Sequence, residues 1–349
     1  MKSPFPVELG YRMPAEWHPH SATWLTWPKD PETWPNRVPL VQEIFVKMIE
    51  ALTTHEIVNV LVDDDQTART IIERSTVAVR NNLLFHNIKT VDSWIRDYGP
   101  NFLVGPNGLG YNDWIFNAWG NKYADLRQDD AIPKLLEPTF KAKRFEPGIV
   151  MEGGSIEVNG DGCVLTTEQC LLNPNRNPDL TRSEIEDYLR KFLGVKKVLW
   201  LAEGIVGDDT DGHIDDIARF VARDVIVCAV EDDPQDANYK LLRDNLERLK
   251  RLTDVHGRAF EIVPLPMPGV VTGASTENRN LERLPASYAN FYIANNVVLV
   301  PVFGSKNDDA AVGILRRLFP RHTVFAINCE PLVWGMGTIH CVTQQQPAL

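Results

Sequence analysis

Two stretches of the chain hold side chains suited to covalent and proton-transfer chemistry. GDDTDGHIDD (207–216) gathers five aspartates around His213, and GMGTIHCVTQQQPAL (335–349) places Cys341 beside His340 close to the end of the sequence. Cysteine is a readily activated nucleophile, and histidine can carry protons at neutral pH. Further acids stand in SWIRDYGP (Asp97) and MEGGS (Glu152). A guanidinium ion is planar, permanently charged and presents N–H donors in a fork that carboxylates accept in pairs. Two facing carboxylates would clamp such an ion, a thiolate would attack its central carbon, and an imidazole would protonate the departing ammonia. Asp97, Glu152, His213, Asp215 and Cys341 together meet that demand.

The acidic run has other readings. As a plain Asp/Gly-rich stretch it would be a solvated loop. A calcium loop of the EF-hand type fails, because Gly207 would stand at position one and Ala218 at position twelve. Asp211-Gly-His213-Ile-Asp215 is also D-x-H-x-D, which resembles the metal-bridging motif of the ureohydrolases. On a strand these three side chains would point the same way and could share a metal. The second run of closely spaced aspartates and the Gly-Gly-x-His run of that family are missing from this sequence, so no metal and no cofactor are assigned.

Such residues need elements to bring them together. Short apolar runs meet at Gly/Asn/Asp turns or polar breaks in 101–112, 154–167, 216–230 and 290–304, as in hairpins. Amphipathic helices are expected between them at 39–52, 181–194, 238–252 and 308–319, with apolar residues at three- and four-residue steps. Thr181, with Glu184 three positions on and Gly194 at the far end, has the cap and stop of a helix. ATWLTWP (22–28) and TIHCVT (338–343) read as strands without local partners. If the hairpin modules close in a circle, the two lie in the same or neighbouring modules, and Cys341 is central.

Composition bounds the class. The chain has 349 residues, 44% hydrophobic and 24% charged, with a formal net charge of −11. This is globular composition, and the acidity disfavours nucleic acid as a partner. No apolar run approaches the ~18 residues of a membrane helix, and MKSPFPVELG has no apolar signal region; the expectation is a cytoplasmic protein without membrane partners. The five cysteines show no CxxC spacing, which argues against a disulfide framework. Cys163, Cys170, Cys228 and Cys329 are read as small core residues.

MPAEWHPHSATWLTWP, SWIRDYGP, WIFNAWGNKY, MEGGSIEVNGDGCVLTTEQCLLNPNRNP, DDTDGHIDDIARF, LPASYANFYIANNVVLVPVFG and IHCVTQQ together resemble the agmatine deiminases. These are grouped with the Porphyromonas-type peptidylarginine deiminases in the guanidine-modifying pentein superfamily. The resemblance runs from Met13 to about Gln346. It implies an α/β fold, a five-bladed pseudo-symmetric α/β propeller with a central active-site channel, and a single catalytic domain over 1–349. It implies Cys341 as nucleophile, His213 as general acid and base, and Asp97 and Asp215 as the guanidinium clamp. Trp94, Asp209, Glu152, Trp119 and Asn290 are the implied substrate-binding residues, with no metal.

Three positions depart from the family pattern near the site: Met336 and Thr338 replace residues of GGGNIHC, and Asn121 replaces a glycine. Family members also often carry His where Glu157 stands. The expected substrate is a small cationic guanidine, agmatine before arginine or peptidyl-arginine, because a distal amine calls for acids such as Asp208 and Asp209. A metal-dependent agmatinase and a non-catalytic pentein are the alternatives, and a homo-oligomer is left open.

Overall fold

The computed structural model describes residues 4–76, 79, 81–274 and 281–349. Among them, five mixed sheets follow one plan, in which a central strand pairs antiparallel with one neighbour and parallel with the other. The first sheet orders β18 (Gln344–Pro347), β1 (His20–Thr26), β2 (Ile57–Val62) and β3 (Leu83–Asn87). The others are β4 (Asn101–Gly105), β5 (Gly108–Asn112) and β6 (Ala142–Phe145); β7 (Glu157–Val158), β8 (Cys163–Thr167) and β9 (Lys197–Leu201); β10 (Ala218–Ala222), β11 (Val225–Val230) and β12 (Glu261–Pro266). The last is β15 (Tyr292–Ala294), β16 (Val297–Val302) and β17 (Thr323–Asn328). A short antiparallel pair, β13 (Thr272–Ala274) and β14 (Leu281–Arg283), stands apart.

The plan follows from connectivity. Antiparallel neighbours need only a tight turn, whereas parallel ones need a crossover of a dozen or more residues. Helices Val38–Leu52, Arg182–Leu193, Asn238–Leu249 and Asp308–Leu318 supply four of these crossovers. They match the sequence expectation to within a few residues. Helix Arg182–Leu193 is held at its start by Thr181 and Glu184 in a reciprocal capping box and ends at Gly194, φ 69°. Such a cap contributes about 1 kcal/mol. Central strands covered on both faces are apolar throughout; Val297, Val298, Leu299 and Val300 of β16 are fully buried.

β18 is the element that matters most for chemistry. It pairs with β1 from Trp24↔Gln344 to His20↔Pro347, joining the two ends of the sequence in one sheet. Cys341 lies just before it. The segment expected to be a strand around the cysteine is instead a buried turn, Ile339–Val342, and extended pairing begins only at Gln344. The reason is local: the Thr343 hydroxyl and amide both turn back onto the His340 carbonyl, so the backbone cannot extend there. No helix among the described residues is long and apolar enough to cross a membrane.

Candidate active site

Cys341 opens onto a cavity of about 910 Å³ that Trp94, Asp97, Trp119, Asp209 and Met336 also line. The turn carrying it is fastened from the side: the Arg96 amide donates to the Cys341 carbonyl at 3.2 Å. Asn290 addresses the sulfur. Its Oδ1 accepts from the Thr338 hydroxyl at 2.7 Å and the His340 amide at 3.0 Å, which leaves Nδ2 directed at Sγ, 3.2 Å away. Thr338, one of the departures from the family pattern, therefore orients the amide that faces the thiol.

Asp97 lines the cavity, and Asp215 and His213 lie behind its surface. Asp97 Oδ1 accepts from the Gly154 amide and Oδ2 from the Trp119 indole, both at 2.9 Å. Asp215 Oδ2 is 3.7 Å from Cys341 Sγ, and its Oδ1 is buried without a partner. His213 Nδ1 is 3.8 Å from Asp97 Oδ1, and neither ring nitrogen has a hydrogen bond. Gly154 shows how tightly these groups converge. A Cβ there would stand 2.6 Å from His213 Nδ1, 2.8 Å from Asp97 Oδ1 and 3.1 Å from Asp215 Oδ2.

Asp215 is positioned by residues that the sequence reading did not single out. His340 donates from Nδ1 to Asp215 Oδ2 at 2.7 Å and from Nε2 to Glu16 Oε2 at 2.8 Å. Glu16 also takes Arg219 at 2.9 Å and the Ile293 amide at 2.8 Å. Arg219 pairs with Glu157 at 3.0 Å, which is what glutamate does where the family often has histidine. All of these groups are buried. Removing one partner of such a pair costs roughly 3–5 kcal/mol, because the other charge is left uncompensated. The signal available beforehand was the adjacency of His340 to Cys341.

Trp119 reaches Asp97 from an unusual backbone. Ala118, Trp119, Gly120 and Asn121 all have positive φ, from 53° to 87°, and so form one left-handed turn. Each non-glycine residue held there costs roughly 1–2 kcal/mol. The turn is fixed by Asn117, whose side chain accepts from the Gly120 amide at 2.8 Å and donates to the Asn175 carbonyl at 2.9 Å. At φ 63° asparagine is among the best tolerated residues after glycine, so Asn121 can hold the left-handed turn in place of a glycine. Met336, φ 70°, places a long side chain on a left-handed residue at the cavity wall.

The D-x-H-x-D alternative, not adopted from the sequence, also lacks the strand it would need. Asp211, His213 and Asp215 do not alternate along a strand; Asp211 and Gly212 are left-handed, φ 65° and 89°, and residues 214–216 form a 3-10 turn. Asp211 is turned onto Arg176 at 2.6 Å and Lys122 at 2.8 Å, so its carboxylate is already saturated with cations. Asp208 is likewise committed: its oxygens accept from the amides of Thr210, Gly212 and His213. That bonding shapes the loop and leaves Asp209 alone of the two acids on the cavity wall, beside the Tyr123 hydroxyl at 2.6 Å. Glu152 and Asn290 lie beneath the cavity surface, Glu152 on Arg176 at 2.7 Å.

Burial, followed by Asp215, Asp216 and Asp97, pushes the Cys341 thiol well above its ordinary value. Burial opposes charge on His213, but Asp97, Cys170 and Asp215 outweigh it and raise the imidazole well above the usual range. Burial raises Asp97, aided by the charges of Asp215 and Glu152. Burial acts on Asp215 too, yet its bond to His340 wins and lowers it. The imidazole is thus favoured in its charged form and the thiol in its neutral form, and a positive charge placed beside the sulfur would favour its ionisation.

The profile of the Porphyromonas-type peptidyl-arginine deiminases matches residues 12–347. An agmatine deiminase of Stutzerimonas stutzeri is 39% identical, over 98% of this chain and 97% of the relative. The structure of the agmatine deiminase of Enterococcus faecalis, catalysing its reaction, superimposes with a TM-score of 0.91 at 34% identity, covering 99% of this chain and 98% of that one. A C. jejuni agmatine deiminase variant with substrate bound gives 0.84 at 30% identity, covering 96% of each. Matched over nearly its whole length in sequence and in fold, the chain belongs to the Porphyromonas-type peptidyl-arginine deiminase family.

Proposed function

We propose that this chain is an agmatine deiminase, hydrolysing agmatine to N-carbamoylputrescine and ammonia as one catalytic unit over 1–349. The observation that carries the reading is the convergence of a thiol and a carboxylate lining one acidic cavity with an imidazole and a second carboxylate directly behind them. Cys341 attacks the guanidinium carbon, and Asp97 and Asp215 hold the tetrahedral adduct. The thiol proton leaves to solvent as the bound cation draws the pKa down. His213 gives its proton to the departing ammonia, and the adduct collapses to an S-alkylthiouronium. The now neutral His213 takes a proton from water, whose oxygen attacks the same carbon. The C–S bond breaks and the ureido product forms. Asn290 Nδ2 is placed to donate to the sulfur whenever it is charged.

The cavity wall supports a cationic tail. Besides Asp97 it presents Asp30, Glu32, Asp92, Asp125, Asp209 and Glu282. Lys29, the cation among the described lining residues, is ion-paired with Asp63. Such a wall attracts an amine and repels the carboxylate of free arginine. The five sheets of shared plan, with β18 closing onto β1, support a five-bladed pseudo-symmetric propeller around this cavity. A cytoplasmic setting fits the reduced, buried cysteines.

Incubation of the purified protein with agmatine, with and without EDTA, tests the reading. Ammonia and N-carbamoylputrescine are expected, undiminished by the chelator. Urea released in a chelator-sensitive way would replace it with a metal-dependent agmatinase.

A pH dependence follows for the tail. Burial raises the Asp209 carboxyl to about 6, with the Asp208 charge adding to it against the Tyr123 hydrogen bond. Above that pH the group is an anion and attracts the amine; below it the group is neutral. KM is therefore expected to rise as the pH falls through about 6. In Asp209→Asn, KM should stay near the wild type's low-pH value throughout, raised over the wild type only above about pH 6, and so lose that step. A step of equal size in the variant would place the titrating group elsewhere.

A further inference from the structure

Cys170 makes and breaks no bond in the mechanism above, yet it stands against the group that does the proton transfer. The sulfur of Cys170, a carboxylate oxygen of Glu152 and a ring nitrogen of His213 all lie within 4.8 Å of one another. The three residues are at most 1% exposed. Glu152 Oε2 and both His213 nitrogens are buried without hydrogen-bond partners. A soft sulfur, a borderline imidazole nitrogen and a carboxylate oxygen facing one another, two of them unsatisfied, are a donor set that zinc takes.

The donors are also held from behind. Arg176 fixes Glu152 by Oε1 at 2.7 Å, and Oε2 is left without a partner. Cys170 sits in the short helix Glu168–Leu171, whose N-cap residue Thr167 donates its hydroxyl to the Gly212 carbonyl at 2.6 Å, one residue from His213. About a tetrahedral zinc ion, with Zn–S near 2.3 Å and Zn–N and Zn–O near 2.0–2.2 Å, ligand atoms lie roughly 3.3–3.7 Å apart. The present spacing closes to that with movements of about an ångström.

We propose that Glu152, Cys170 and His213 form an inhibitory site for Zn²⁺ or a similar thiophilic divalent ion, with water in the fourth position. Binding releases the Cys170 proton to solvent and moves no electrons between groups. A divalent ion on either ring nitrogen bars the imidazolium form that donates to the departing ammonia, so the ion silences His213 while leaving the Cys341 sulfur free. That consequence rests on the deiminase reading; the binding itself does not. Hard ions such as Mg²⁺ prefer all-oxygen sites and should not compete.

Cobalt(II) is the probe of binding and zinc the probe of inhibition. In wild-type protein and in Cys341→Ala, cobalt is expected to give a thiolate-to-metal charge-transfer band at one ion per chain. Cys170→Ser and Cys170→Ala should lack the band. Zinc should suppress turnover reversibly, with EDTA restoring it. The Cys170 variants, each compared with its own turnover without zinc, should need at least roughly tenfold more zinc for the same fractional inhibition. The proposal is overturned by no band in the wild type, by a band that survives loss of Cys170, or by a band that disappears in Cys341→Ala. Unchanged zinc sensitivity in both Cys170 variants would overturn it too. If the protein proved inactive on agmatine, the cobalt band would still decide the site, so the two readings fail separately.

Discussion

Cys341→Ala is expected to lower kcat for agmatine by about four to six orders of magnitude, the usual cost of removing a covalent nucleophile. The fold should survive, since the residue's backbone bond from Arg96 and its place before β18 do not involve the sulfur. The substrate should still bind, because Asp97, Asp215 and the acidic wall remain. Ammonia release, measured beside a binding isotherm and a thermal melt, separates these effects. Near-wild-type turnover in this variant would reject thiol catalysis outright. The same thiol offers a second measurement. With burial and three carboxylates opposing ionisation, alkylation of the substrate-free protein should be slow at neutral pH. A thiol that titrated well below neutrality without substrate would remove the substrate-assisted step.

Gly154→Ala should be nearly as informative, and it adds one carbon to a residue that does no chemistry. The new Cβ would meet His213 Nδ1 at 2.6 Å and Asp97 Oδ1 at 2.8 Å, distances at which something has to move. Asp97 is tied to Trp119 and to the Gly154 amide, and Asp215 to His340. The imidazole, without a hydrogen bond on either nitrogen, is the group that yields. Displacements of about 1 Å in a reacting group cost on the order of 100-fold in rate, so kcat/KM should fall at least that far. Overpacking should lower stability by roughly 1–3 kcal/mol. Gly313→Ala serves as control: its Cβ would meet only the Arg317 tip at 3.7 Å, in helix Asp308–Leu318. That change should leave activity intact and raise stability by up to about 1 kcal/mol. Equal activity in the two variants would mean that His213, Asp97 and Asp215 do not act as a unit.

Legibility in the sequence divided along physical lines. Helix Arg182–Leu193 could be read nearly to the residue because its cap, its apolar spacing and its Gly194 stop are all local. The hairpins were readable for the same reason. The turn at Ile339–Val342 was not: its composition suits a strand, and hydrogen bonds back to His340 override that preference. Asp208 and Asp209 look alike in sequence, yet one carboxylate is spent on its own loop and the other faces the cavity.

The sequence by itself determined which residue types were available for the chemistry, the hairpin-and-helix modules that carry them, and the family resemblance of their ordered motifs. Only the tertiary structure decided how they are oriented and charged. His340 bridges Asp215 and Glu16, partners 125 and 324 positions away; Glu152 and Cys170 come up against His213; a left-handed turn aims Trp119 at Asp97. Local propensity acts over a few residues, whereas hydrogen-bond direction and desolvation depend on groups that meet only when distant segments pack. Those two quantities set the protonation state of a thiol, an imidazole and two acids, and no spacing along a chain encodes them.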